Sequence, residues 1–254
     1  MFLHLQTHVI KIITLFIPQN PYMQQTKTSI LGQKITLFQP TKGYRAGMDA
    51  VFLGASIHMK DNQSCLDVGF GVGAAGLTAT HHSPSMKLTG LEILEENIKL
   101  AEQNIAENNL QDQVSVTQGD LTVKGTLSQY SFDQVMTNPP YFEEHASRKS
   151  EVEQQAHALI EGNATLDIWL DFCLKRLKHR GILTLIYPTE RLDDILNCLK
   201  DRVGNIKIYP LWPKKNRPSK PLWRTCTPKP RMAPLPCPMW RIQVTWPPWV
   251  IPVR

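Results

Sequence analysis

The five cysteines, Cys65, Cys173, Cys198, Cys226 and Cys237, contain no C-x-x-C pair. So scattered and odd a set argues against a disulfide framework and a zinc site, and makes a reducing cytosol the expected compartment. Long apolar runs are also missing. The longest near the N-terminus, Ile12–Ile17, is interrupted by Thr14 and ends at Pro18. That is far short of the ~20 residues needed to span a bilayer, so no membrane attachment is expected. Wholesale disorder is excluded by a chain that is 42% apolar and only 20% charged. Acid is absent from residues 221–254, which carry Arg224, Lys229, Arg231, Arg241 and Arg254, whereas the rest of the chain holds 23 bases and 22 acids. The net charge of +6 therefore belongs to a tail and is no evidence that the body binds nucleic acid.

Composition divides the chain into three zones. Residues 1–22 are apolar, but Lys11 breaks the apolar stretch and no basic segment or small-residue cleavage pattern flanks it, so a secretory signal is disfavoured. A leader outside the native domain, with translation starting at Met23, is the expectation. Residues 23–220 form the expected domain. Residues 221–254 hold 9 of the 19 prolines and 4 of the 6 tryptophans, without glycine or acid. This zone reads as a proline-rich arm or as a stretch foreign to the domain.

The central zone alternates strand and helix patterns. Strands are predicted at Ser64–Gly69, Lys87–Ile93, Gln113–Gly119, Phe132–Thr137, Ile182–Tyr187 and Ile206–Leu211. Helices are predicted at Glu95–Asn108, with Ile98, Ala101 and Ile105 on one face, at Leu166–His179 with Gly181 as a stop, and around Leu192–Leu199. This order implies an α/β, Rossmann-like fold: a mainly parallel sheet with helices on both faces.

The first predicted strand ends in Leu66-Asp67-Val68-Gly69-Phe70-Gly71-Val72-Gly73. Gly69, Gly71 and Gly73 allow a tight turn and a close backbone approach to a ligand. Glu92, 19 residues after Gly73, stands where a carboxylate can accept from two ribose hydroxyls. A dinucleotide fold shares these features. Asp67, inside the motif, would repel a pyrophosphate but suits an ammonium group. S-adenosylmethionine has an amino group, a sulfonium and no phosphate. Asp120, after the third strand, offers an acceptor near an adenine amino group.

The fourth strand ends in Thr137-Asn138-Pro139-Pro140-Tyr141. A conjugated amino group is a poor nucleophile because its lone pair is delocalised. The Asn138 side-chain oxygen and the Pro139 carbonyl can each accept one of its N–H bonds and aim that lone pair at a methyl group. Pro139 and Pro140 fix the backbone, and Tyr141 offers a stacking face. No metal is required.

These residues resemble class I S-adenosylmethionine-dependent methyltransferases with the Asn-Pro-Pro-Tyr motif. More narrowly, the chain is similar to the bacterial tRNA1(Val) adenine-37 N6-methyltransferase-like family. Gln39-Pro40, Gly43-Tyr44-Arg45-Ala46-Gly47, Asp49-Ala50, Ala156-His157, Glu161-Gly162 and Arg191-Leu192 carry the narrower match. The resemblance implies S-adenosylmethionine on Asp67, Gly69, Gly71, Gly73, Glu92 and Asp120, and catalysis at Asn138, Pro139, Pro140 and Tyr141. It implies a monomer that methylates adenine N6 in tRNA. A protein glutamine N5-methyltransferase is the alternative enzyme, and a C-terminally damaged protein that binds cofactor without activity is the third reading.

Three further expectations concern departures from this pattern. Phe70 replaces a small residue or cysteine and is expected to crowd the loop. Asp49 is expected to cap the helix that follows it rather than to approach the cofactor, and Phe142–Asn163 to form either a lid or a solvated loop. After residue 220 the family's last strand is replaced by Pro221-Leu222-Trp223, as a frameshift near codon 220 would produce. The sheet is then expected to lack its last strand.

Overall fold

The computed structural model describes residues 25–41, 45–140, 164–211, 220–228 and 243–244. Strands β1 (Gln25–Ile30) and β2 (Ile35–Pro40) form an antiparallel hairpin. Helix α1 (Met48–Ala55) leads into β3 (Ser64–Val68), α2 (Ala74–His82), β4 (Lys87–Glu92), α3 (Glu95–Glu107), β5 (Val114–Gln118) and β6 (Phe132–Thr137). Then come α4 (Leu166–Lys175), β7 (Leu177–Ile186), α5 (Leu192–Leu199), β8 (Val203–Leu211), β9 (Lys220–Pro228) and β10 (Gln243–Val244).

The main sheet runs β5-β4-β3-β6-β7-β9-β8-β10. Its first five strands are parallel, and β9 is antiparallel to both neighbours. Chain order reverses between β3 and β6, creating a crevice at their carboxyl ends where open α/β sheets bind ligands. Alternate residues of each strand feed two cores. Leu66, Val68, Val135, Leu183 and Leu185 pack with α4 and α5. Cys65, Met136 and Ile186 face the side held by α1, α2, α3 and the hairpin. Helix α1 lies so close to α2 that a Cβ on Gly54 would stand 2.3 Å from the Ala75 carbonyl oxygen. Only glycine permits this approach.

The hairpin docks by an unusual edge. Asn104 on α3 and Asn108, its C-cap, are four residues apart and serve as a surrogate strand for β2. The Phe38 N–H donates to Asn104 Oδ1 at 2.6 Å, and Asn104 Nδ2 donates to the Phe38 carbonyl at 3.0 Å. Thr36 exchanges the same pair with Asn108 at 2.9 and 2.7 Å. Backbone groups that would be an exposed sheet edge are thereby satisfied.

Three sequence expectations need correction. The predicted helix Leu166–His179 ends at Lys175, and β7 begins at Leu177, five residues before the expected Ile182. Leu177 fits the helical spacing of α4 but is drawn into the sheet beside Phe132, whose N–H bonds the Arg176 carbonyl at 2.8 Å. The expected loss of the last strand is also corrected. Residues 220–228 pair with β7 on one side and β8 on the other, because every residue of the strand except Pro221 and Pro228 keeps its main-chain N–H and C=O for the ladder, whatever side chain it carries. Finally, Gly47, not Asp49, is the N-cap of α1, and Asp49 sits in the first turn, where a carboxylate complements the helix dipole. The expected leader at 1–22, the expected lid and the tail beyond β9, except for β10, lie outside the described residues.

Candidate functional site

Beta strand β3 delivers the glycine loop to the crevice. Gly69, Gly71 and Gly73 all have positive φ, at 78°, 56° and 92°, as the tight turn requires. The N–H groups of Gly69 and Phe70 both donate to the Leu91 carbonyl at 2.9 Å, which fastens the loop to β4. Phe70 does not crowd the ligand side. Its ring turns inward, 3% exposed, over two other glycines: a Cβ on Gly76 or Gly90 would come within 2.4 Å of it.

Asp67 is 2% exposed, and its Oδ2 has no hydrogen-bond partner. Burial, and then the nearby Glu92 carboxylate, push its pKa well above the ordinary value, against one backbone N–H bond from Gly76. A buried acceptor held this way fits a cationic ligand group, which would relieve both its missing bond and its repulsion from Glu92.

Glu92 closes β4. Its Oε2 accepts from the Gly71 N–H at 2.7 Å, and its Oε1 accepts from Ile93 and Leu94 N–H at 3.0 and 2.9 Å. A carboxylate offers about four acceptor positions. Three are taken here, so one ribose hydroxyl fits without rearrangement and the expected second must displace a backbone donor. On the adjacent strand end, Asp120 Oδ1 accepts from the Thr122 N–H and Oγ1, both at 2.7 Å. The polar groups present fit the ribose and amino-acid ends of S-adenosylmethionine.

Asn138, Pro139 and Pro140 follow directly from β6, the neighbour of β3. Asn138 and Pro140 are half-buried and Pro139 is buried. Tyr141 lies outside the described residues. Thr137, paired in register with Val68, donates from Oγ1 to the Val68 carbonyl at 2.8 Å. Trp169, on α4, donates from Nε1 to the same Thr137 oxygen at 2.8 Å. Its ring also stands 3.0 Å from where a Gly69 Cβ would be. One tryptophan thus braces both loops. Sequence reasoning assigned no such role to Thr137 or Trp169, because the contact joins residues 32 apart. The only signals were a threonine before the motif and an aromatic residue on an apolar helix face. Asn104 was missed as well: it donates to the Val72 carbonyl at 2.9 Å and ties the glycine loop to the hairpin.

Residues 48–167 match the family model for the methyltransferase small domain. A Shewanella sp. (strain MR-4) protein named tRNA1(Val) (adenine(37)-N6)-methyltransferase is 30% identical over 163 residues, which are 63% of this chain and 67% of that protein. The chain belongs to the class I S-adenosylmethionine-dependent methyltransferases. A Flavobacteriaceae bacterium (strain 3519-10) protein of the same name is 31% identical to this chain over 127 residues. That match covers half of this chain, 50%, and 54% of the relative, so the chain spans little more than half of that relative's length. A solved methyltransferase from Pyrococcus furiosus shares the fold, with a TM-score of 0.56 over 78% of this chain and 90% of its own at 16% identity. Among the described residues, no helix is long and apolar enough to cross a membrane.

Proposed function

We propose that this methyltransferase methylates the exocyclic N6 amino group of adenine in tRNA. The observation that carries the reading is the 2.8 Å bond from Thr137 Oγ1 to the Val68 carbonyl, which fastens the Asn-Pro-Pro segment beside the glycine loop at the reversal of strand order. Relatives named as tRNA1(Val) adenine-37 N6-methyltransferases support adenine and tRNA as the substrate. An adenine in an anticodon loop is already partly unstacked, so extruding it costs little.

When bound, S-adenosylmethionine supplies an electrophilic methyl group. Asp67 would receive its ammonium end, Gly69, Gly71 and Gly73 would let the backbone lie close to it, Glu92 would accept from the ribose, and Asp120 would accept from the adenine. Asn138 Oδ1 and the Pro139 carbonyl accept the two N–H bonds of the target amine and orient its lone pair. Pro140 stiffens that turn, and Tyr141 stacks on the base. Orientation of this kind can supply much of the rate. The protein works as a cytoplasmic monomer, in keeping with a tRNA substrate.

Incubating the protein with methyl-labelled S-adenosylmethionine and either total tRNA or a release factor tests the reading. Label in tRNA alone is the expected result. Label in release-factor glutamine would replace this function with amide methylation, and label in neither would leave a cofactor-binding protein without this activity.

A further inference from the structure

At the opposite end of the sheet, the starts of β3, β6 and β7 surround a cavity of about 200 Å³. His58, Lys60, Lys178, His179 and Arg180 line it, with Asp133 as its acid. Lys178 Nζ neutralises that acid at 2.8 Å, and Ser64 donates to the same carboxylate oxygen. Among the described residues, no ion pair engages Lys60 or Arg180. The cavity therefore keeps an uncompensated positive charge.

The five basic side chains are exposed, and two further features mark the site. Arg180 has φ of +63°, a conformation suited to glycine, within β7 and directly before Gly181. Such strain carries a cost, which a glycine at this position relieves. Gln134 also lines the cavity, is 3% exposed, and has a buried Oε1 without a hydrogen-bond partner. Its Nε2 donates to the His58 carbonyl at 2.7 Å, which fixes the amide orientation and leaves the oxygen as a lone acceptor. A bare anion would not satisfy that oxygen. A ligand with both a phosphate and a hydroxyl donor would, through a small opening of the site that exposes this oxygen.

We propose that this cavity is a second ligand site, which takes a ribose-phosphate unit with the phosphate against Lys60 and Arg180 and a ribose hydroxyl donating to Gln134. Its source is either an RNA backbone, which rests on the tRNA reading above, or a free mononucleotide. Phosphate contacts of this type carry affinity without reading sequence.

Calorimetric titration of AMP into the full chain tests the proposal, with saturating S-adenosylhomocysteine present to occupy the cofactor loop. One molecule of AMP is expected to bind besides the one that the adenine site at Asn138 can take, and this binding is weakened about tenfold by Arg180→Gly through loss of one charge-assisted contact. Glycine suits φ of +63°, so thermal unfolding of this variant should occur no lower than in the parent. Lys60→Ala is the second variant and should weaken AMP similarly. Absence of AMP binding, or binding that both variants leave unchanged, overturns the proposal. With AMP binding lost in Arg180→Gly, a parallel loss of tRNA affinity identifies RNA as the source, and unchanged tRNA affinity identifies the free nucleotide. AMP binding by a protein that fails to methylate tRNA would defeat the proposed function and leave this site standing.

Discussion

Trp169 Nε1 and the Val68 carbonyl are joined through a single atom, Thr137 Oγ1, 2.8 Å from each. Thr137 is fully buried, and its neighbour in sequence is Asn138. Replacing it with valine keeps the shape but strands a buried donor and a buried acceptor, each of which costs ~1–3 kcal/mol. Thr137→Val should therefore lower stability by about 2–6 kcal/mol in denaturant unfolding. A loss under about 0.5 kcal/mol would show that the bridge does not hold the two loops.

Phe70 and Gly90 form a matched pair, since a Cβ on Gly90 would meet the ring at 2.4 Å. Gly90→Ala should destabilise by about 1–3 kcal/mol through overpacking. In a Phe70→Ser background the same change should cost much less, a coupling of at least about 0.5 kcal/mol. Additive costs would mean that the ring does not fill that space.

Asp67 links stability to function. Its pKa in the folded chain lies well above the ordinary 3.8, first from burial and then from Glu92. Above 3.8 the unfolded chain releases this proton while the folded chain keeps it, so the group makes stability fall as pH rises toward the folded-state pKa. Asp67→Asn cannot ionise and should be more stable than the parent near about pH 7.5, yet bind S-adenosylhomocysteine about tenfold more weakly. An unchanged pH profile together with unchanged affinity would remove Asp67 from the site.

Strand β9 covers the edges of both β7 and β8. Ending the chain after Pro228 should retain a cooperative unfolding transition, whereas ending it after residue 219 should expose two strand edges and promote aggregation. Equal solubility and unfolding midpoints for the two truncations would show that β9 contributes nothing. We propose that residues 221–254 depart from the family's sequence, as a shifted reading frame would cause, while the first eight still supply the strand's main chain. Sequencing the encoding DNA across codon 220 checks that origin.

Much of the architecture was legible because strand ends carry their own signals. The acid-plus-glycine loop, Glu92 and the Asn-Pro-Pro turn each mark a strand's carboxyl end, and parallel pairing then brings β3, β4, β5 and β6 side by side. Periodicity misplaced the start of β7, because Leu177 satisfies the helical spacing and the sheet alike. The hairpin escaped detection because its partner is a helix. Asn104 sits beside Ile105 and reads as a solvent-facing residue until its bonds to Phe38 and Val72 are seen. Phe70 reads as an intruder until Gly76 and Gly90 are seen to make room for it. The tail misled because ladder pairing is a property of the backbone, which composition does not report.

The central claim is that Asn138 orients an adenine amine of tRNA for methylation. The most direct test is nucleoside analysis of tRNA treated with labelled S-adenosylmethionine and either the parent protein or Asn138→Ala, with S-adenosylhomocysteine affinity measured on both. The account predicts labelled N6-methyladenosine from the parent, and turnover reduced at least about a hundredfold in the variant with cofactor affinity within about threefold. Parent-level methylation by Asn138→Ala, or label on any other tRNA atom, would contradict it.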